Sequence, residues 1–143
     1  MSVGNLQPSE FDDPAKELGL LWLRVSAALF LLCVHGLPKL LHFSQQLQLI
    51  EDPFHLGPAV TLSLAIFAEV ACPLLIIAGV LTRLACLPVL CVLLIAVGVV
   101  HPDWTLDQGQ FAWLLLILFS AILLAGPGRL SLRLSMPGRL RYA

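Results

Sequence analysis

The sequence predicts an all-α integral membrane protein in which four transmembrane helices form a bundle. Of its 143 residues, 59% are hydrophobic and only 12% are charged, whereas soluble domains are about half apolar and about a quarter charged. The apolar residues also gather in four long runs separated by short polar loops, which is typical of a multi-pass membrane protein. The formal net charge of −1 does not indicate a basic surface, so nucleic acid is not an expected partner. The expected partner is the lipid bilayer.

Each apolar run is close to the length that crosses a bilayer. A helical span needs about 20 apolar residues, with about 17 as the lower limit. The predicted spans are 18–41, 59–79, 83–101 and 110–126. A polar segment, 1–17, precedes them and a basic tail, 127–143, follows them. The polar segment lacks the basic start of a secretory signal peptide. The first apolar run is therefore expected to be retained as a transmembrane helix and not cleaved.

The connection between the first two spans has a helical pattern of its own. Phe43, Leu47, Ile50 and Phe54 recur on one helical face, so a short helix is expected to lie flat in the membrane interface. Pro58 suits the first turn of the second span.

A tight connection joins the second and third spans. In the stretch "GVLTRLA", Gly79 is expected to end one helix and Thr82 to cap the next.

The distribution of Lys and Arg predicts the orientation. Basic residues flank the spans at the two termini and in the 79–83 connection, whereas the other two loops contain none. Because basic loops remain in the cytoplasm, both termini are expected there. The predicted anchors on the cytoplasmic side are Arg83, Arg129 and Arg133.

Apart from Arg83, an expected cytoplasmic anchor, five Arg, Lys, His or Glu residues lie in or at the ends of the predicted spans: Arg24, His35, Lys39, Glu69 and His101. An ionisable group in mid-membrane costs about 2.5–3.5 kcal/mol on insertion scales, so it usually faces the bundle interior and has a partner. These five residues form the predicted polar cluster and candidate ligand-binding site.

Helix geometry brings these residues to neighbouring depths. Arg24 and His35 are separated by about three turns and about 20° around the first helix, and Lys39 is one turn further. A rise of about 1.5 Å per residue places Glu69 between Arg24 and His35, so Arg24 is expected to reach it. Glu69 is the expected counter-charge of this polar face.

Alternatives without a binding role stand beside this hypothesis. An Arg24–Glu69 pair would also serve as an interhelical contact that fixes helix register. Lys39 would extend to the outer headgroups, helped by a kink at Pro38. His101 would be an ordinary interfacial residue.

Metal and haem sites have little support in the sequence. His35 and His101 share a level, but a shared depth does not fix the direction of either ring, so axial haem ligation is disfavoured. The four cysteines lie in apolar runs without C-x-x-C spacing, which indicates neither zinc nor a disulfide framework. We predict no metal site.

Several short motifs occur in a recognisable order. "LRVSAALFLLCVHGLPKL", "AEVACPLLIIAGVLTRLA", a His that closes the third span and "GPGRLSL" together resemble the DoxX family of small bacterial inner-membrane proteins. The resemblance implies a four-helix bundle and an association with quinone-linked or oxidative-stress redox systems. The positions that match the family's polar pattern are Arg24, His35, Lys39, Glu69, Arg83 and His101. One departure is Arg133, where family members often have an acidic residue.

Two functional hypotheses follow. In the first, the protein is an accessory or anchoring subunit of a membrane redox system, with an oxidoreductase partner bound by the basic tail. A quinone would be held near the outer leaflet by His35, Lys39 and His101. In the second, Glu69 is the mid-membrane group of a small proton-coupled transporter or channel. An autonomous enzyme is not expected, and the oligomeric state is left open.

Overall fold

The computed structural model describes residues 13–132, and within that range the regular structure is entirely helical. Four of the helices there are long and apolar enough to cross a membrane. The helices are α1 (Pro14–Leu41), α2 (Phe43–Leu49), α3 (Pro58–Ala78), α4 (Thr82–Val100) and α5 (Leu106–Ala125).

The four long helices pack around a shared apolar core. Ala27 and Ala28 of α1 are almost fully buried, and such small residues let neighbouring backbones approach closely. Phe119 of α5 fills the centre. The other core residues include Leu31, Cys72, Ile76, Ala85, Cys86, Val89, Leu93, Leu115, Leu116 and Ile122.

The two ends of the bundle differ. We call the end that carries α2 and residues 50–57 the loop end. The opposite end carries residues 13 and 132 and the α3–α4 turn, and we call it the terminal end.

Most predicted boundaries agree with the structure to within a few residues, and the differences have local causes. Helix α1 begins at Pro14 because the Asp13 carboxylate accepts a hydrogen bond from the Ala15 N–H. Helix α5 begins at Leu106 because Thr105 and Gln108 form a reciprocal capping box. Polar residues thus extend both helices beyond their apolar runs.

Of the two predictions for the α3–α4 turn, one is confirmed and one is wrong. Gly79 ends α3 with a φ of 77°, as expected for a left-handed C-terminal residue. The prediction that Thr82 caps α4 is wrong. Thr82 is the first residue of α4 and is fully buried. Leu81 takes the capping position and makes no side-chain hydrogen bond there.

Three of the long helices contain one wide, π-helical turn. In each case a proline follows two residues after the turn ends, where it can offer no N–H and its ring would clash with the carbonyl of the preceding turn. A wide turn relieves that clash. The turns and their prolines are Leu32–Gly36 with Pro38, Phe67–Ala71 with Pro73, and Ala96–Val100 with Pro102. No wide turn precedes Pro88 in α4, so proline alone is not sufficient to produce one.

Candidate functional site

A cavity of about 390 Å³ occupies the half of the bundle nearest the loop end. All four long helices line it, and residues 50–56 cover it. Most of its wall is apolar. Its polar lining residues are His35, Lys39, Glu51, Thr61, Glu69, His101, Trp104 and Gln108.

An ion pair lies in this cavity. Lys39 Nζ is 2.7 Å from Glu69 Oε1 and 2.5 Å from Oε2, and the Glu69 side chain is only 7% exposed. Lys39 comes near the end of α1, yet its side chain turns back into the bundle. The structure therefore favours the hypothesis that Lys39 pairs with Glu69 over the alternative in which it reaches the headgroups.

A close approach of two backbones makes this pair feasible. A Cβ atom placed on Gly36 would lie 2.1 Å from the carbonyl oxygen of Glu69, which is far inside van der Waals contact. Only glycine fits at this crossing of α1 and α3. The crossing lies in the wide turns of both helices and holds His35, Lys39 and Glu69 around one space.

His35 presents its ring to the same cavity. Its centroid is 5.6 Å from that of Phe111, with the rings inclined by 31°. Within residues 13–132, no hydrogen bond to another side chain fixes the imidazole. Its nitrogens are thus oriented by packing alone and can bond to a ligand in the cavity.

His101 and two other side chains form the mouth of the cavity. The imidazole stacks on Trp104 with a centroid distance of 3.9 Å and an angle of 7°. Its Nε2 lies 3.7 Å from Glu51 Oε2, and the Glu51 side chain is 59% exposed. A polar contact this exposed contributes little to stability, so His101 is held mainly by its stacking on Trp104.

The cover over the cavity depends on Asp52. Its carboxylate accepts hydrogen bonds from the Thr61 hydroxyl (2.7 Å), the Gly57 N–H (2.7 Å) and the Leu56 N–H (3.1 Å). These bonds, that from Thr61 above all, lower the pKa of the Asp52 carboxyl. The stabilisation is therefore present above the unfolded-state pKa of about 4 and is lost as the pH falls through the lower folded-state value.

Arg24 does not belong to this cavity. Its guanidinium donates to the carbonyl oxygens of Pro127 and Leu130, the latter at 2.8 Å. The prediction that Arg24 reaches Glu69 is wrong, because the carbonyl oxygens of Pro127 and Leu130, in the segment that follows α5, accept the hydrogen bonds of its guanidinium group instead. Arg24 is a structural residue of the terminal end.

Arg83 has a similar position. Its Nη2 lies 3.3 Å from the carbonyl oxygen of Leu124 in the last turn of α5, where a positive charge is also favoured by the helix dipole. The backbone N–H of Arg129 bonds to Glu17 Oε2 at 2.5 Å, which ties the segment after α5 to α1. Of the three predicted anchors, Arg83 and Arg129 lie at the terminal end, and Arg133 is outside the described residues.

The sequence thus identified four of the cavity's polar residues and missed others. His35, Lys39, Glu69 and His101 line the cavity. Glu51, Thr61 and Gln108 were not predicted, because polar residues near a loop are expected in any membrane protein. Among residues 13–132, no group of three or more His, Cys, Asp or Glu side chains is placed to hold a metal ion.

Comparison with known families gives one match. The model of the DoxX family matches residues 19–102, which is more than half of the chain. The chain belongs to the DoxX family. The DoxX match runs from α1 through α4 and therefore includes His35, Lys39, Glu69 and His101. No curated protein and no solved structure matches the chain. DoxX membership and four apolar helices make this a multi-pass membrane protein.

Proposed function

We propose that this DoxX-family protein is an accessory subunit of a membrane redox system and that its cavity holds a quinone-type ring. The observation that carries the proposal is the cavity itself. Its volume of about 390 Å³ lies in the range of small-molecule sites, about 300–1,000 Å³. Its wall is apolar, and hydrogen-bond donors converge at one place in it.

The donors have separate roles. His35 would donate to one carbonyl oxygen of the ring, since no other described side chain uses its nitrogens. Lys39 directs two of its three N–H groups to Glu69, which leaves one for a second carbonyl oxygen. Phe111, already packed against His35, offers a flat face for the ring.

The transporter alternative has less support. A carrier residue at Glu69 needs access from both membrane surfaces. On the terminal side of Glu69 the bundle is filled by buried side chains, including Ile76, Val89 and Phe119. Beyond them, Arg83 bonds to a carbonyl in the last turn of α5, and Arg24 bonds to carbonyls in the segment that follows it. The arrangement favours a site that opens at one end only.

The proposal includes an orientation and a partner. The loop end would face the outer surface of a bacterial inner membrane, with both termini in the cytoplasm, as the distribution of Lys and Arg indicates. A soluble or membrane oxidoreductase would then bind at the terminal end, where the basic tail begins. Helix α2 would lie in the outer interface, since Leu49 and Leu41 beside it are largely exposed.

Binding of a quinone analogue to the purified protein in lipid nanodiscs tests the proposal. Trp104 lines the cavity, so quenching of tryptophan fluorescence reports occupancy. We expect His35→Ala to weaken binding at least about tenfold, the equivalent of one lost hydrogen bond of about 1.4 kcal/mol. His42→Ala is the matched control, because His42 is exposed and outside the cavity. Equal affinities of wild type and His35→Ala would contradict this placement.

A further inference from the structure

The charges that line the cavity are unequal. One ammonium group, that of Lys39, faces two carboxylates, those of Glu51 and Glu69. The remaining titratable lining residues are His35 and His101. With both histidines neutral, the cavity carries a net negative charge, and an anionic head would enter against it.

The charge of the single ammonium group is already paired with that of Glu69. Both oxygens of the Glu69 carboxylate lie within hydrogen-bond distance of Lys39 Nζ, at 2.7 and 2.5 Å. A carboxylate or phosphate on a ligand would have to share this ammonium with Glu69. Two anions on one buried cation repel each other strongly, because the interior screens charge poorly.

Glu51 adds a second negative charge to the lining. Its carboxylate lies 3.7 Å from His101 Nε2 and also lines the cavity. An anionic head in the cavity is therefore repelled by this carboxylate as well. An uncharged head meets no such repulsion, and it still finds the free N–H of Lys39 and the ring nitrogens of His35.

We infer that the cavity selects lipophiles whose hydrogen-bonding head is uncharged and rejects anionic ones such as fatty acids, and that Glu69 is the residue that sets this selectivity. The inference deepens the proposed function, since it rests on the cavity being a ligand site, but it does not require that the ligand be a quinone. By neutralising Lys39, Glu69 turns what would be an anion site into a site for neutral heads.

A matched pair of probes tests the inference. 1-Decanol and decanoate share one chain length, and at about pH 8 the acid is fully ionised. Their binding to the protein in nanodiscs is corrected for partition into empty nanodiscs. We expect the wild type to bind decanol at least about tenfold more tightly than decanoate. Equal corrected affinities for the two probes would overturn the inference and leave the quinone site standing.

Substitutions assign the effect to Glu69. Glu69→Gln frees Lys39 and is expected to raise the affinity for decanoate at least about tenfold. The double substitution Lys39→Met with Glu69→Gln removes both charges and should abolish that gain. Glu51→Gln is the control for a general loss of negative charge and should change the decanoate affinity by less than Glu69→Gln. A larger gain from Glu51→Gln would overturn the role of Glu69.

Two further outcomes with the wild type distinguish failure of the proposed function from failure of the selectivity. If neither probe binds above partition, the cavity is not a lipophile site, and the proposed function falls together with the inference. If decanol binds and decanoate does not, the selectivity of the cavity stands even where Glu69→Gln fails to fold.

Discussion

The Glu69 side chain is accommodated inside the bundle by its two hydrogen bonds from Lys39 and by the close approach of the backbones at Gly36. A buried ion pair gains little over a well-packed apolar pair, since both groups lose their hydration. Removing one partner is costly, however, because the other charge is left without compensation. The pair is therefore better explained as part of a site than as a source of stability, and its apolar surroundings in the cavity agree with that explanation.

Gly36→Ala tests the helix crossing at the scale of one residue. The added Cβ would meet the Glu69 carbonyl oxygen at 2.1 Å, so α1 and α3 must separate, and we expect the free energy of unfolding to fall by about 1–3 kcal/mol. Denaturant unfolding in detergent micelles measures the change. Gly19→Ala is the control, because nothing lies within 4 Å of its Cβ position and alanine favours a helix by about 0.5–1 kcal/mol. A Gly36→Ala protein as stable as the wild type would refute the close contact.

The sequence identified polar residues at this scale better than it identified their partners. The cost of burying charge singles out Lys39 and Glu69 in an apolar run. Which residues pair depends on where each long side chain turns, and a depth estimate cannot supply that. Arg24 lies beside the segment that follows α5 and bonds to the carbonyl oxygens of Pro127 and Leu130 there instead.

At the scale of the helix, the wide turns position the polar residues of the cavity. Each contains or adjoins a polar residue of the cavity: His35 and Glu69 lie within such turns, and His101 follows one directly. A π-helical turn accommodates one additional residue and so rotates everything after it relative to a regular helix. Such turns occur frequently at functional sites, and here they direct three polar groups to one space.

Pro38→Ala tests the role of the turn in α1. Alanine restores the missing N–H and favours a regular helix, which would rotate Leu37–Leu41 by about 100° and carry Lys39 away from Glu69. A double-mutant cycle with Lys39→Met and Glu69→Gln measures the coupling free energy. We expect about 1–3 kcal/mol in the wild type and a value near zero with Pro38→Ala.

Pro88→Ala provides the comparison for that experiment. Pro88 lies in the regular α-helical part of α4, with no wide turn before it. The Pro88→Ala substitution should therefore leave the coupling between Lys39 and Glu69 unchanged. An unchanged coupling with Pro38→Ala as well would show that the turn does not position Lys39.

The helices themselves were accessible from the sequence because their signals are local. Apolar runs of membrane-spanning length predict α1, α3, α4 and α5 within a few residues, and Gly79 predicts the end of α3. The starts at Pro14 and Leu106 depend on caps made by polar residues outside the runs. The wide turns were not predicted, since Pro38 and Pro88 look alike in the sequence and differ only in what packs around them.

At the scale of the whole molecule, the two ends have different chemistry. The terminal end is closed by Arg24, Arg83 and the segment after α5. The loop end contains the cavity. The hydrogen bonds of Asp52 fix the loop between α2 and α3 beside it. In the orientation that we propose, the membrane would separate the proposed ligand site from the end that carries the proposed cytoplasmic anchors.

Reporter fusions test the orientation of these ends. Alkaline phosphatase is active only outside the cytoplasm, and we expect it to be active when it is inserted after Asp103, in the α4–α5 loop. The same enzyme joined after Leu132 should be inactive, because basic segments remain inside. Green fluorescent protein at the two positions should give the opposite pattern. Phosphatase activity after Leu132 alone would reverse the proposed orientation.

The packed terminal half has a consequence for the cell. Within residues 13–132, the buried side chains of Ile76, Val89 and Phe119 fill the bundle on the terminal side of Glu69, and the guanidinium groups of Arg24 and Arg83 lie beyond them. Many copies could therefore accumulate in an energised membrane without discharging the electrochemical gradient that the respiratory chain maintains.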